Sequence, residues 1–172
     1  MRLILFRHGP AGRRDDSRWP DDAMRPLSPR GESRTLAAAV GLARWEPEIH
    51  TVLTSPFVRA SATAKLLADA LGDAELRTLE ALRPGGSWRQ VMTYLANLPP
   101  GGTVALVGHE PDLGKLAGTL VFGAPSALPL KKAGGCAIVF AAAVTAGQGE
   151  LAWFLPPRFL RRMAGRKRRV TA

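Results

Sequence analysis

The sequence has few of the residues that form disulfides or metal sites. It contains one cysteine, Cys136, and three histidines among its 172 residues. One cysteine excludes an intrachain disulfide, and a structural zinc site is not expected from so few ligands. Cys136 lies in an apolar run, so we expect a small buried residue and not a reactive thiol.

Long apolar runs are also missing. No stretch is long enough to span a bilayer, and we find no internal repeat. The apolar run at residues 3–6 is too short for a signal-peptide core, and no small-residue cleavage site follows it. We therefore expect one compact domain in the cytoplasm, without membrane contact.

Acidic residues are absent from the end of the chain. The net charge is +10, and seven of these charges lie after Pro157, which leaves +3 for the rest. We predict a folded domain at 1–157 and a solvated, flexible basic tail at 158–172, with too few apolar residues to pack well. The tail could contact a polyanion or simply aid solubility.

Apolar strands alternate with helical patterns along the remaining chain. This alternation predicts an α/β fold, a three-layer α/β/α sandwich with a mainly parallel sheet. A hairpin-like link at residues 145–149 predicts a C-terminal antiparallel strand. Ser28 and Pro29 are typical of a helix start, and we place the apolar face of that helix at Leu36, Val40 and Ala43. Strands are predicted at 2–6, 49–54, 76–79, 103–107, 137–143 and 150–155, and helices at 29–44, 58–71, 87–98 and 111–122.

Arginine, histidine and serine side chains follow three of the predicted strands. Arg7 and His8 follow the first, Ser55 and Arg59 follow the second, and His109 follows the fourth. Sites in such sheets form at the carboxyl ends of the strands. Two arginines and two histidines should therefore meet at one edge, although each alone has an ordinary structural interpretation.

This set of side chains suits phosphoryl chemistry. Arginine forks can bind the peripheral oxygens of a phosphoryl group, and a helix amino terminus after Ser55 adds backbone donors. A neutral imidazole of His8 could attack phosphorus and form a phosphohistidine intermediate that water later hydrolyses. Protonated His109 could bind the same oxygens. Since these cations neutralise the charge, we expect neither a metal nor a cofactor.

Three segments that contain these residues resemble the motifs of one family. The segment Leu5-Phe6-Arg7-His8-Gly9 resembles the signature of the histidine phosphatase (phosphoglycerate mutase-like) superfamily. Its second and third motifs are similar to residues 54–64 and 106–111, and residues 25–31 resemble the small SixA-type branch. The resemblance covers roughly residues 1–156.

The resemblance implies a role for each of the matching residues. His8 would be the phosphorylated residue, and Arg7, Arg59 and His109 would form the phosphate pocket. The implied activity is a metal-independent phosphatase for phosphohistidine in proteins such as phosphorelay domains. Gly9 and Ser55 join the candidate substrate-binding residues.

The identity of a general acid stays open. Larger relatives use an acidic residue near the end of the third strand, where this chain has Glu80. Glu80 is therefore a candidate general acid, with a plain surface role as the alternative. We read Asp21 and Asp22 as loop charges that are weaker candidates. Lys131 and Lys132 could extend a basic rim or be a solvated pair.

Three functions remain open from the sequence. The first is a phosphatase for phosphohistidine on a protein such as a histidine-containing phosphotransfer domain. The second is a phosphatase for a small phosphorylated metabolite, from the same superfamily. The third is a non-catalytic module in which the pocket and the basic tail only bind polyanions.

Overall fold

The computed structural model describes residues 1–98, 101–124 and 126–165. Its centre is a six-stranded sheet with the order β3-β2-β4-β1-β5-β6. The strands are β1 (Arg2–Arg7), β2 (Ile49–Thr54), β3 (Glu75–Thr78), β4 (Thr103–Gly108), β5 (Gly135–Val139) and β6 (Glu150–Leu155). Strands β3, β2, β4 and β1 are parallel to one another, while β5 is antiparallel to both β1 and β6.

Within the described residues, five α-helices cover the two faces of this sheet. They are α1 (Pro29–Trp45), α2 (Val58–Leu71), α3 (Trp88–Ala96), α4 (Asp112–Phe122) and α5 (Pro157–Ala164). Alternating side chains of β1 point to opposite faces, as pleating requires. Leu3 and Leu5 pack with residues of α3 and α4, whereas Ile4 and Phe6 pack with α1, α2 and α5. The predicted α/β sandwich with a mainly parallel sheet is confirmed.

Helix α1 begins as the sequence predicts, and Ala43 of the predicted apolar face is buried, but the rest of the buried face differs. The Ser28 side chain accepts a hydrogen bond from Gly31 N–H, and Pro29 is the first helical residue. Leu36, however, is 46% exposed, so its predicted place on the apolar face is wrong. The buried face consists mainly of small residues, including Ala38, Ala39 and Gly41, because two helices, α2 and α5, approach it closely.

The start of the predicted tail is part of the folded structure. Helix α5 packs on α1, and its Leu160 is fully buried in the core. A Cβ at Gly41 would lie 1.8 Å from the Leu160 carbonyl oxygen, so the two backbones are in contact. The expectation of a solvated segment is therefore wrong for residues 158–164. Residues 166–172, the rest of the predicted tail, lie outside the described residues.

Two further expectations concern burial and membrane contact. Cys136 is a buried free cysteine, as expected, and burial raises its thiol pKa to about 12. Within the described residues, no helix combines the length and apolar character needed to cross a bilayer.

Candidate active site

The register of three parallel strands brings the predicted site residues together. Arg7 pairs with Gly108 across β1 and β4, so His8 and His109 follow neighbouring strand ends. The Ser55 N–H donates to the carbonyl of Val107 at 3.0 Å, which aligns the end of β2 with them. The ring centroids of His8 and His109 are 4.9 Å apart. The structure therefore brings these imidazoles together at the predicted edge.

The His8 ring is fixed in one tautomer. Its Nδ1 donates to the carbonyl of Gly9 at 2.7 Å, because a carbonyl can only accept. The lone pair of the neutral ring is then on Nε2. Burial, followed by the charges of His109, Arg59 and Arg7, lowers the pKa of His8 to about 3. His8 is therefore neutral near pH 7 and has a free nucleophilic nitrogen.

His109 is held by the Ser55 hydroxyl. Its Nε2 lies 2.8 Å from Ser55 Oγ, and this oxygen also accepts the Phe57 N–H at 3.3 Å. Burial, then the charges of Arg59 and Arg7, lower the pKa of His109 to about 3, with Asp22 opposing them. In the neutral ring, the Ser55 hydroxyl donates to Nε2 when the proton is on Nδ1, and Nε2 donates to Ser55 Oγ when the proton is on Nε2. The protonated His109 that the sequence suggested is thus not the form favoured without an anion nearby.

Both candidate arginines are anchored through their Nη atoms. Arg7 Nη1 donates to the carbonyl of Leu130 at 2.8 Å, and Arg59 donates to Asp22 from Nη1 and Nη2. Among the buried side-chain polar atoms of the described residues, three have no hydrogen-bond partner. They are Nε of Arg7, Nε of Arg59 and Nδ1 of His109. The two arginine Nε–H groups are donors, and His109 Nδ1 is a third donor in the tautomer that has its proton there, so the site is suited to binding an anion.

Asp22 is the site residue that sequence reasoning underrated. It lies in a short 3-10 turn, Asp22–Met24, inside the long loop after β1. Its carboxylate contacts Arg59 at 2.9 Å and Arg25 at 2.8 Å. Although desolvation opposes ionisation, the hydrogen bonds and charges of Arg25 and Arg59 lower the pKa of Asp22. Asp22 is therefore ionised near neutral pH and orients Arg59.

The other predicted residues occupy three different environments. The Gly9 N–H donates to Thr63 Oγ1 at 3.0 Å, and a Cβ there would collide with Thr35 Oγ1, so only glycine fits. Glu80 is exposed at the start of a 3-10 turn after β3, and its acid role stays a prediction. Asp21 caps the Asp22 turn by accepting from Ala23 N–H at 2.9 Å.

Lys132 extends the positive field of the site. Desolvation, followed by the charges of Arg7, Arg25 and Arg59, lowers the pKa of this exposed lysine. The three arginines of the site therefore lie within electrostatic range of Lys132. In the part of the chain that the structure describes, no three His, Cys, Asp or Glu residues are grouped as metal ligands would be.

Comparison with known proteins places this site in a family. The family model of the histidine phosphatase superfamily (branch 1) matches residues 3–93. The phosphohistidine phosphatase SixA of Escherichia coli (strain K12) is 32% identical over 123 residues, which cover 70% of this chain and 74% of that protein. An uncharacterized protein of Picosynechococcus sp. is 39% identical over 137 residues, 78% of this chain and 82% of that protein.

A solved structure has the same architecture. The structure of the protein histidine phosphatase SixA complexed with tungstate superposes with a TM-score of 0.79 at 27% sequence identity. The match covers 93% of this chain and 99% of the other. Of the three functions that the sequence left open, these similarities disfavour the non-catalytic polyanion-binding module. The chain is therefore a phosphatase of the histidine phosphatase superfamily, and it belongs to the SixA-type branch of that family.

Proposed function

We propose that this protein is a cytoplasmic phosphatase that hydrolyses phosphohistidine on proteins, through a phosphoenzyme on His8 and without a metal. The observation that carries the proposal is the geometry of His8. A neutral, tautomer-fixed imidazole lies 4.9 Å, centroid to centroid, from His109 and within the field of Arg7 and Arg59. A pure anion-binding pocket would need the cations but not this nucleophile.

The reaction would proceed in two balanced steps. His8 Nε2 forms a bond to phosphorus while the P–N bond of the substrate breaks, and the leaving imidazole takes up a proton from solvent. Water then forms a bond to phosphorus while the P–Nε2 bond breaks, a proton of the water passes to solvent, and phosphate and neutral His8 are released. In both steps, the unpartnered N–H groups of Arg7, Arg59 and His109 would stabilise charge on the peripheral oxygens. The arginines would supply positive charge without a metal ion.

The choice of phosphohistidine rests on the leaving group and on the relatives. An imidazole leaves more readily than an alkoxide, especially once protonated, so a strong general acid is less necessary. Of the carboxylates considered, Asp22 is ionised and paired, and Glu80 is exposed. The relative with 32% identity is named a phosphohistidine phosphatase. Phosphohistidine on a protein, such as a histidine-containing phosphotransfer domain, is therefore the preferred substrate.

A small phosphate ester is the second candidate substrate. An apolar pocket of about 60 Å³ opens beside His109, with walls from Leu82, Val91 and Leu113. It would hold the small apolar part of a metabolite. We rank this substrate second because an ester has an alkoxide leaving group that needs an acid.

A labelling experiment tests the mechanism. Brief exposure to a radiolabelled phosphoryl donor should leave acid-labile phosphate on the protein, and His8→Ala should abolish both the label and turnover while the fold persists. His50→Ala is a matched control, because His50 is an exposed histidine on β2. Label that survives in His8→Ala would contradict the proposal.

Two further measurements test the independence of a metal and the choice of substrate. Turnover should persist after incubation with a chelator, and its loss would contradict the metal-free mechanism. A phosphorylated histidine-containing domain should be hydrolysed with a higher kcat/KM than simple phosphate esters. The reverse preference would assign the enzyme to small esters.

A further inference from the structure

A groove lined with basic residues lies between the segment before β5 and the start of α5. Its volume is about 490 Å³, and Lys131, Arg158 and Arg161 contribute its charges. Phe154 and three prolines form its apolar walls. No acidic residue lines this basic groove, and none of its three cations forms an ion pair within the described residues.

The basic groove is directly connected to the active site through the chain segment 130–134. At one end, the Leu130 carbonyl accepts from Arg7 Nη1 at 2.8 Å. In the middle, Ala133 N–H lies 3.1 Å from the Arg7 carbonyl oxygen and 3.2 Å from that of His8. Lys132 lies within electrostatic range of Arg7, Arg25 and Arg59, while its neighbour Lys131 lines the groove. The same short segment therefore contacts the active site and lines the groove.

We propose that the basic groove binds an acidic segment of the same protein that presents its phosphohistidine to His8. The inference rests on the proposed function and adds to it the surface that recognises the substrate. Arginine forks pair with carboxylates, and exposed arginine and aromatic side chains beside apolar walls are typical of protein interfaces. Ala133, two residues after the groove-lining Lys131, contacts the carbonyls of Arg7 and His8, so a partner that presents phosphohistidine to His8 lies next to the segment that lines the groove.

Helix α5 presents two of the three charges of the groove, those of Arg158 and Arg161. Uncompensated charges at the edge of an interface mainly raise the rate of association and weaken with salt. The groove should therefore act on kcat/KM for a protein substrate and not on the chemistry at His8.

The experiment compares two substrates and three variants. The groove variants are Arg158→Gln/Arg161→Gln and, separately, Lys131→Gln. The matched control, Lys65→Gln/Arg77→Gln, removes two positive charges from exposed residues of α2 and β3, at the opposite edge of the sheet. The substrates are an acidic phosphorylated histidine-containing phosphotransfer domain and a small phosphoramidate.

We expect the double groove variant to lower kcat/KM for the phosphorylated domain about tenfold at low salt, and Lys131→Gln to lower it less. The difference should shrink at high salt, while hydrolysis of the small phosphoramidate should stay within about twofold of wild type. The control should match wild type on both substrates.

The possible failures are distinguishable. If wild type hydrolyses neither the phosphorylated domain nor the small phosphoramidate, the proposed function fails, and the inference fails with it. If wild type hydrolyses the phosphorylated domain but the groove variants equal wild type on it, only the groove inference is overturned. Equal losses on both substrates would also overturn it. Loss of duplex DNA binding in the groove variants, with turnover of the domain unchanged, would assign the groove to nucleic acid instead.

Discussion

The carboxylate of Asp22 lies 2.9 Å from Nη2 of Arg59, and the main-chain carbonyl of Asp22 accepts from Nη1 at 2.7 Å. A loop residue thus fixes a guanidinium that the second helix delivers. Because both contacts use Nη atoms, the buried Nε of Arg59 stays available to an anion. Asp22 is a positioning residue in this arrangement.

Replacing Asp22 separates positioning from acid catalysis. Asp22→Ala should lower kcat/KM about tenfold, since a hydrogen bond between charged groups is lost. Asp22→Asn should retain most of the activity, because its side-chain oxygen still accepts from Arg59. Steady-state kinetics check this, with Asp16→Ala as a charge-matched control in the exposed part of the loop. A general acid would make Asp22→Asn as defective as Asp22→Ala.

Arg59 itself should matter more than its partner. Arg59→Ala should lower kcat/KM by about 100-fold or more, by analogy with the loss of an oxyanion donor. Arg59→Lys should recover only part of this, because lysine keeps the charge without the planar fork. Thermal unfolding of both variants controls for the removal of a side chain from a buried position. Wild-type kinetics in a folded Arg59→Ala protein would remove Arg59 from the phosphate pocket.

The Ser55 hydroxyl should control the tautomer of His109. In the tautomer that binds an anion through Nδ1–H, the Ser55 hydroxyl donates to Nε2, so Ser55→Ala removes this donor and lets the proton move to Nε2. We expect a loss of about tenfold in kcat/KM, comparable to one charge-assisted hydrogen bond. The tautomer is read directly from long-range ¹⁵N–¹H correlations of the imidazole. Slower turnover with an unchanged tautomer would mean that Ser55 acts in some other way.

The sequence predicted the parts of the site that follow from strand register. Arg7, His8, Ser55 and His109 sit at strand ends, and parallel pairing brings such ends together whatever the loops do. The contact between Asp22 and Arg59 could not be predicted in this way, because it joins a loop to a helix 37 positions later. No periodic pattern specifies the path of such a loop.

Helix α5 was not predicted either, because it also depends on a contact with a residue far away in the sequence. Its composition is dominated by arginine, which indicated a solvated tail. One fully buried leucine, Leu160, nevertheless anchors it, because Gly41 leaves room for the α5 backbone. The packing depends on a glycine more than a hundred residues earlier, and local composition does not report such a partner.

The buried histidines should make the fold sensitive to acid. His8 and His109 have pKa values of about 3 in the folded protein, against about 6.5 in an unfolded chain. Between these values the unfolded state binds more protons, so stability rises with pH in this window and is lost as pH falls. Together, the two histidines can lower the free energy of unfolding by at most about 3 kcal/mol for each pH unit of acidification.

Urea unfolding at pH 7 and pH 5 checks this effect. A His8→Gln/His109→Gln variant should lose less stability between the two pH values than wild type, and His50→Gln should behave like wild type. For each protein, the free energy of unfolding at pH 5 is subtracted from that at pH 7. This difference does not contain any destabilisation by the substitutions that is the same at both pH values. Equal pH dependence in the wild type and the double variant would show that neither histidine is buried in its neutral form.

The contact between α1 and α5 predicts that Gly41→Ala destabilises the fold, although Gly→Ala usually stabilises a helix. In an exposed helix, Gly→Ala stabilises by about 1 kcal/mol. At Gly41 the added Cβ would lie 1.8 Å from the Leu160 carbonyl oxygen, and backbone atoms cannot yield as a flexible side chain can. Gly41→Ala should therefore lower the free energy of unfolding by about 1–3 kcal/mol, as overpacking does.

Urea denaturation measures this change, with Gly12→Ala as the control because a Cβ there meets nothing within 4 Å. Gly41→Ala should also increase protease cleavage near Arg158 and Arg161, since a displaced α5 exposes the bonds that follow these arginines. Stabilisation by Gly41→Ala would mean that α5 does not pack against this face of α1. In that case the segment after Pro157 would behave as the solvated tail that its composition suggested.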